Sequence, residues 1–104
     1  NDALRILERL TDSNDPETFG LKGAIYKRLS RINNDNIGYL NRAIEYYEKG
    51  YMISYDFYTG ENLAFCFDKK STLLNDGEDE KYIVEFRQKK YENNYIKYYL
   101  LKWN

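Results

Sequence analysis

Apolar residues recur every three or four positions along most of this chain, and this spacing limits its fold more than any other feature. Such spacing places apolar side chains on one face of a helix, and that face must be buried against a neighbouring element. The 104 residues include a single proline, so long uninterrupted helices are permitted. No segment shows a convincing strand-like alternation. The sequence therefore predicts an all-α protein.

Polar segments divide the chain into five predicted helices, at 2–10, 16–32, 37–54, 57–74 and from 78 or 79 towards 103. The clearest start is Asp15-Pro16-Glu17: aspartate caps free N–H groups, proline suits the first helical position, and glutamate favours the positive end of the helix dipole. Asn93-Asn94 leaves open whether the last helix is continuous. Antiparallel helices joined by short polar turns predict an α-solenoid of two helical hairpins plus a C-terminal helix, within one domain over 1–104.

Two motifs match the tetratricopeptide pattern of an aromatic, a glycine and a tyrosine on one helix and Ala-x3-Phe on the next. They are Phe19-x3-Gly23-x2-Tyr26 and Ala43-x3-Tyr47. We expect the small residues to lie where helices cross, and the aromatic side chains to fill the space beside them. The residues predicted to pack helices together are Phe19, Gly23, Ala43, Tyr47 and Gly50.

A narrower resemblance comes from three motifs that occur in order with short spacers. They are Gly23-x-Ile25-Tyr26-Lys27, Ala43-x3-Tyr47-x-Lys49-Gly50 and Gly60-x-Asn62-x-Ala64. Together they resemble the tetratricopeptide-like region called the TRAFs-binding domain in apoptosis signal-regulating MAP3 kinases, and the related bacterial tetratricopeptide sensor proteins. The resemblance covers roughly residues 15–75, and the aromatic helix at 79–103 is only weakly covered.

This resemblance implies a regulatory or scaffolding role. In the kinases the region contacts signalling partners. In the bacterial proteins it is proposed to sense a nucleotide-derived signal and to accompany effector domains in defence systems.

The polar segment from Asp56 to Asn62 is the best candidate for a binding site. It begins a helix, where free backbone N–H groups converge and can hold an anion or a carboxylate. Capping and tight helix packing are the alternative explanation. The predicted ligand- or partner-binding residues are Tyr26, Lys27, Tyr58, Gly60, Glu61 and Asn62.

The aromatic segment from Tyr91 to Trp103 also has several interpretations. It could form a partner-binding face, or cap the last repeat of the solenoid, or await helices that lie outside this sequence. Because the chain begins at Asn1 within a helix-like segment, we expect it to be a fragment of a longer protein.

Several kinds of chemistry are disfavoured. The chain has no histidine, which is the usual general base and the commonest metal ligand, so we predict no catalysis, no metal and no cofactor. Cys66, between two phenylalanines, reads as a buried thiol. The net charge of −1 argues against a nucleic-acid or membrane partner, since either needs a basic excess.

Two functions remain open at this stage. The first is a non-catalytic scaffold whose concave helical surface binds a protein partner or another domain of the same chain. The second is a sensor that binds a nucleotide-like small molecule near Tyr58 to Asn62. A single cysteine and the absence of a visible leader or membrane span predict a cytoplasmic location.

Overall fold

The computed structural model describes the backbone of residues 2–10, 15–74 and 79–103, and the side chains of these residues except 57, 79 and 94–103. The described residues form five α-helices and no strand, which confirms the all-α prediction. The helices are α1 (Asp2–Arg9), α2 (Pro16–Ile32), α3 (Ile37–Ser54), α4 (Phe57–Leu73) and α5 (Asp79–Trp103). The last helix runs unbroken through Asn93-Asn94, so the possible break does not occur. Residues 11–14 and 75–78, which include parts of the polar segments between predicted helices, lie outside the described residues.

Polar side chains cap the starts of three helices. The carboxylate of Asp15 accepts a hydrogen bond from the N–H of Glu17 (3.2 Å), and Asp56 accepts one from the N–H of Thr59 (2.7 Å). The amide oxygen of Asn36 accepts one from the N–H of Tyr39 (3.0 Å) at the start of α3. These bonds satisfy backbone donors that a helix leaves free in its first turn.

The helices pack in sequence order as two antiparallel hairpins, α2 with α3 and α4 with α5, joined by a further interface between α3 and α4. α1 contacts α2 but has no fully buried residue. The core lies mainly on α3 and α4, and the largest fully buried side chains are Tyr47, Phe67, Leu29, Leu40, Leu63 and Cys66.

Two glycines allow the helices to approach closely. A methyl group at Gly23 would stand 2.9 Å from the ring carbons Cδ1 and Cε1 of Tyr47 on α3. A methyl group at Gly60 would stand 3.1 Å from Cε2 of Tyr51, also on α3. A glycine therefore lies at a close contact on each side of α3, from α2 and from α4. Ala43 of α3 is also fully buried.

Two side-chain contacts place α2 beside α4 on the same side of the molecule. The amine of Lys27 donates to Oδ1 of Asn62 at 2.9 Å, across 35 positions of sequence. Just beyond α2, the carboxylate of Asp35 pairs with the amine of Lys69 at 3.3 Å, across 34 positions (69 minus 35). Each hairpin is longer than a standard tetratricopeptide repeat of 34 residues, because α2 begins at Pro16 and α4 begins 41 positions later, at Phe57. The two contacts advance in the same direction along the chain, from 27 to 35 on one side and from 62 to 69 on the other. The first helices of the two hairpins therefore lie parallel, as they do in such a solenoid.

Candidate ligand-binding site

A cleft of about 260 Å³ lies between α2 and α4. Its α4 wall is a stripe of residues spaced four, three and four positions apart, which places them on one helical face. Its α2 wall is a similar stripe, and Leu40 and Tyr47 of α3 contribute to its floor. The wall residues are Ala24, Lys27, Arg28 and Arg31 on α2, and Tyr58, Asn62, Phe65 and Lys69 on α4. The cleft is slightly smaller than most pockets for drug-sized ligands, so it suits a small ligand or one end of a larger one.

Local bonds position the polar groups of the α4 wall. The cap by Asp56 fixes the first turn of α4, and the side-chain amide of Asn62 donates to the backbone carbonyl of Tyr58 at 2.9 Å. That bond turns Oδ1 of Asn62 towards α2, where it accepts from Lys27. The amine of Lys27 also lies 4.4 Å from the centre of the Phe65 ring. Lys27 therefore links the two walls by a hydrogen bond and a cation–π contact.

The cleft has a strong excess of positive charge, although the chain as a whole is almost neutral. Lys27, Arg28, Arg31 and Lys69 line it, against the single carboxylate of Asp35. Asp35 pairs only with Lys69 among the ion pairs of the described residues. Clefts lined by charges of one sign concentrate ligands of the opposite sign. The arrangement favours an anion.

Below these cations lies Tyr47, whose side chain is fully buried. Its hydroxyl is the one buried side-chain nitrogen or oxygen without a hydrogen-bond partner among the residues that the structure describes. Burial raises the pKa of the phenol well above its usual value, with smaller contributions from the neighbouring Cys66 and Tyr58. The hydroxyl therefore stays protonated and is available as a donor.

Cys66 has the properties of a packing residue. Its side chain is fully buried, and burial raises the pKa of the thiol to about 12, although the positive charge of Lys27 opposes this shift. A nucleophilic cysteine needs a lowered pKa and access to substrate. The arrangement around Cys66 therefore argues against a reactive thiol.

The structure brings together three of the six residues that the sequence analysis assigned to binding, namely Lys27, Tyr58 and Asn62. It places the other three elsewhere. Tyr26 stacks on Tyr46 of α3, with ring centres 5.7 Å apart. Adjacent side chains of a helix point about 100° apart, so Tyr26 faces α3 while Lys27 faces the cleft. Of this neighbouring pair, only Lys27 lines the cleft, and Tyr26 lies on the face of α2 that packs against α3.

Gly60 and Glu61 also lie away from the cleft. Gly60 is buried against Tyr51, so its role in the structure is close packing of α3 and α4. Glu61 is exposed and lies beside Ala64, Asp68 and Glu92, on a different face of α4. An anion at the cleft would not contact either residue.

Sequence reasoning assigned only three of the cleft residues to binding, and the functional side chains that it missed include Arg28, Arg31, Tyr47, Phe65 and Lys69. The spacing of 58, 62, 65 and 69 on one helix face was available as a signal. Nothing in the sequence alone showed that this face would oppose the basic face of α2.

A second, shallower groove of about 780 Å³ is lined mainly by α3 and α5 and shares no residue with the cleft. Its exposed apolar side chains include Met52, Ile53 and Ile83, which are 66%, 53% and 55% exposed. Its charged residues are of both signs, and they include Glu45, Glu48, Lys49, Lys70, Glu80 and Arg87. This mixture of apolar and charged groups resembles a protein-binding surface more than an anion site.

Within the described residues, no group of three or more histidine, cysteine, aspartate or glutamate side chains is placed to hold a metal ion. No helix in this part of the chain is both long and apolar enough to cross a membrane.

The stacked hairpins, the side-chain contacts between α2 and α4, and the open cleft define a tetratricopeptide-like binding module. The model of the family described as Tetratricopeptide Repeats-Sensor matches residues 1–67, which is more than half of the chain. The chain therefore belongs to that family, and its fold is a tetratricopeptide-like all-α fold. No curated protein and no solved structure matches the chain significantly.

Proposed function

We propose that this chain is a non-catalytic sensing module that binds an anionic, nucleotide-like small molecule in the cleft between α2 and α4. The observation that carries this proposal is the set of four cationic side chains around the cleft, opposed by one carboxylate. A phosphate group carries charge and acceptor oxygens that lysine and arginine bind well.

Two aromatic side chains suggest that the ligand also carries a flat ring. Tyr58 and Phe65 line the cleft two helical turns apart, and their side chains are 58% and 52% exposed. Exposed aromatic rings beside basic groups are a common platform for bases, because each stacked base contributes about 1–3 kcal/mol. Asn62 lies between them, and its side-chain amide can form a hydrogen bond with a polar atom at the edge of such a ring.

A binding role without catalysis agrees with the side chains present. The chain has no histidine, and its only thiol is buried and protonated. Tetratricopeptide-type repeats act by presenting a surface to a guest. A nucleotide-like ligand also fits the cytoplasmic location that we predicted from the sequence.

The test is a thermal-shift screen with AMP, cyclic AMP, ADP-ribose and pyrophosphate, with uncharged adenosine for comparison. A ligand at about 100 times its Kd stabilises the folded state by about 2.7 kcal/mol, which would raise the Tm of a domain of this size by about 10 °C or more. We expect anionic members to raise the Tm and the effect to shrink with added salt. A flat response across the panel would refute the proposal.

Matched variants locate the site. Lys27→Gln and Arg31→Gln each remove one positive charge from the cleft, so both should weaken binding by about tenfold. Arg42→Gln removes the same charge from α3, where Arg42 lies over the ring of Tyr26 and outside the cleft. This control should bind as the wild type does. Equal losses in all three variants would show a general charge effect and no defined site.

A protein partner at the groove between α3 and α5 is the second candidate function, and the exposure of Met52, Ile53 and Ile83 favours it. The partner could be a separate protein or another domain of the same polypeptide, as the resemblance to TRAFs-binding regions implies. If the full-length product contains a further domain, that domain, expressed separately, should bind this chain in calorimetry. Met52→Glu should abolish that binding. Leu21→Glu, at an exposed position of α2 outside the groove, should leave the binding unchanged. Retained binding by Met52→Glu would exclude the groove.

A further inference from the structure

We propose that the hydroxyl of Tyr47 donates a hydrogen bond to an anionic oxygen of the ligand, and that Tyr47 thereby determines which ligands the cleft accepts. This inference rests on the proposed function and adds to it a buried specificity residue below the exposed cations. Its basis is the combination of burial, a missing partner and a position at the cleft floor.

An unpartnered hydroxyl in a core is unfavourable, because the group loses its hydrogen bonds to water and gains none in return. Phenylalanine would fill the same space without that penalty. The tyrosine therefore destabilises the ligand-free fold relative to phenylalanine. A compensating hydrogen bond in the bound state would explain why a tyrosine occupies this position.

The protonation state fits a donor role. Burial holds the phenol in its neutral form far above physiological pH. A neutral phenol can donate to an anionic oxygen, and such charge-assisted bonds are stronger than bonds between neutral groups. The surrounding cations would attract the anion to the cleft. The hydroxyl would then stabilise only those anions that place an oxygen within hydrogen-bond distance of the cleft floor.

The ring of Tyr47 is held in place before any ligand arrives. It packs directly against Gly23, where even a methyl group would clash at 2.9 Å. Such packing orients the hydroxyl, which lowers the entropic cost of using it. Above it lies Tyr58, a mostly exposed side chain that influences the phenol electrostatically. Exposed side chains change rotamer within nanoseconds, so Tyr58 can move aside to admit an oxygen.

The experiment compares wild type, Tyr47→Phe and Tyr46→Phe by calorimetry with AMP, cyclic AMP, ADP-ribose and pyrophosphate. Tyr46 is a matched control, because its ring lies between Tyr26 and Phe19 on the α2–α3 face, outside the cleft. We expect Tyr47→Phe to bind about tenfold or more weakly than wild type and to have an unchanged or higher Tm without ligand. Tyr46→Phe should bind normally.

The possible failures are distinguishable. If the wild type binds a member of the panel and Tyr47→Phe binds it equally well, the role of Tyr47 is refuted while the anion-binding function stands. If Tyr47→Phe loses affinity but also loses Tm, the hydroxyl stabilises the fold and the specificity role is refuted. If the wild type binds no member of the panel, the proposed function and the role of Tyr47 are both refuted.

Discussion

Gly23 of α2 lies directly against the ring of Tyr47 in α3, and no side chain larger than hydrogen fits between them. A methyl group at this position would stand 2.9 Å from two ring carbons and 3.0 Å from a third. The ring itself is fully buried, so it has little room to give way. This one contact sets how closely α2 and α3 approach. It also fixes the orientation of the Tyr47 ring at the floor of the cleft.

Replacing Gly23 by alanine should therefore destabilise the protein. Alanine favours the helix by about 1 kcal/mol, but overpacking of a buried contact costs about 1–3 kcal/mol, so we expect a net loss of up to about 2 kcal/mol. Gly20, one turn earlier on α2, provides the control, because a methyl group there would meet no atom within 4 Å. Gly20→Ala should be neutral or stabilising by up to about 1 kcal/mol. Urea unfolding measures both, and equal effects would contradict the close-contact interpretation.

Removing the cap of α4 should also lower stability. The carboxylate of Asp56 accepts a 2.7 Å hydrogen bond from the N–H of Thr59, and loss of an N-cap costs about 1 kcal/mol. We expect Asp56→Ala to lower the free energy of unfolding by about that amount, and Asp56→Asn, which keeps an acceptor oxygen, to have a smaller effect. If both variants unfold at the same urea concentration as wild type, the cap contributes nothing to stability.

Tyr91 joins α5 to α3, and its hydroxyl should contribute measurably. The hydroxyl donates to the carboxylate of Glu48 at 3.1 Å, while the ring stacks on Phe67 and meets the edge of Tyr51. Tyr91→Phe keeps the ring and removes the hydrogen bond, so we expect a loss of about 1–2 kcal/mol. In a double-mutant cycle with Glu48→Ala, which removes the acceptor, the two effects should be less than additive. Full additivity would show that the hydroxyl and the carboxylate do not interact.

Stability should fall in alkaline solution. The thiol of Cys66 keeps its proton in the folded state up to about pH 12, whereas the unfolded thiol loses it near pH 9. Above pH 9 the unfolded state therefore binds fewer protons than the folded state, and the free energy of unfolding decreases as pH rises towards 12. Below pH 9 the contribution of this thiol is fully present.

The buried phenols of Tyr47 and Tyr91 add to this decrease above pH 10, because their pKa values are also raised. Urea unfolding at pH 7, 9 and 10.5 measures the trend. Cys66→Ala is less stable at every pH because of the cavity, but its stability should decline less steeply between pH 9 and 10.5. Equal slopes for the variant and the wild type would show that Cys66 does not cause the decline.

The architecture could be predicted from the sequence because its signals are local. Asp15, Asn36 and Asp56 mark helix starts through bonds to residues two or three positions away, and the observed starts follow directly. The unbroken course of α5 was not predictable from Asn93-Asn94. Asparagine disfavours a helix interior by only a fraction of a kcal/mol per residue, and a long helix tolerates that cost.

The cleft was only partly predictable, because it depends on contacts across about 35 positions. The sequence singled out Lys27, Tyr58 and Asn62 through motif matches, but the link between Lys27 and Asn62 appears only when the hairpins stack. The convergence of the basic face of α2 with Lys69 depends on that same stacking. For Tyr47, the pattern showed a core aromatic residue but not the missing partner of its hydroxyl.

The cleft residues project from helix faces that do not form the core, and this separation has an evolutionary consequence. Arg28, Arg31 and Phe65 are exposed, so exchanges at these positions can retune ligand preference while leaving the buried stripes of α2 and α4 intact. Relatives could thus diverge to recognise different molecules on one unchanged scaffold. Leu40 and Tyr47 at the cleft floor are exceptions, since any replacement there alters the interior and the cleft at once.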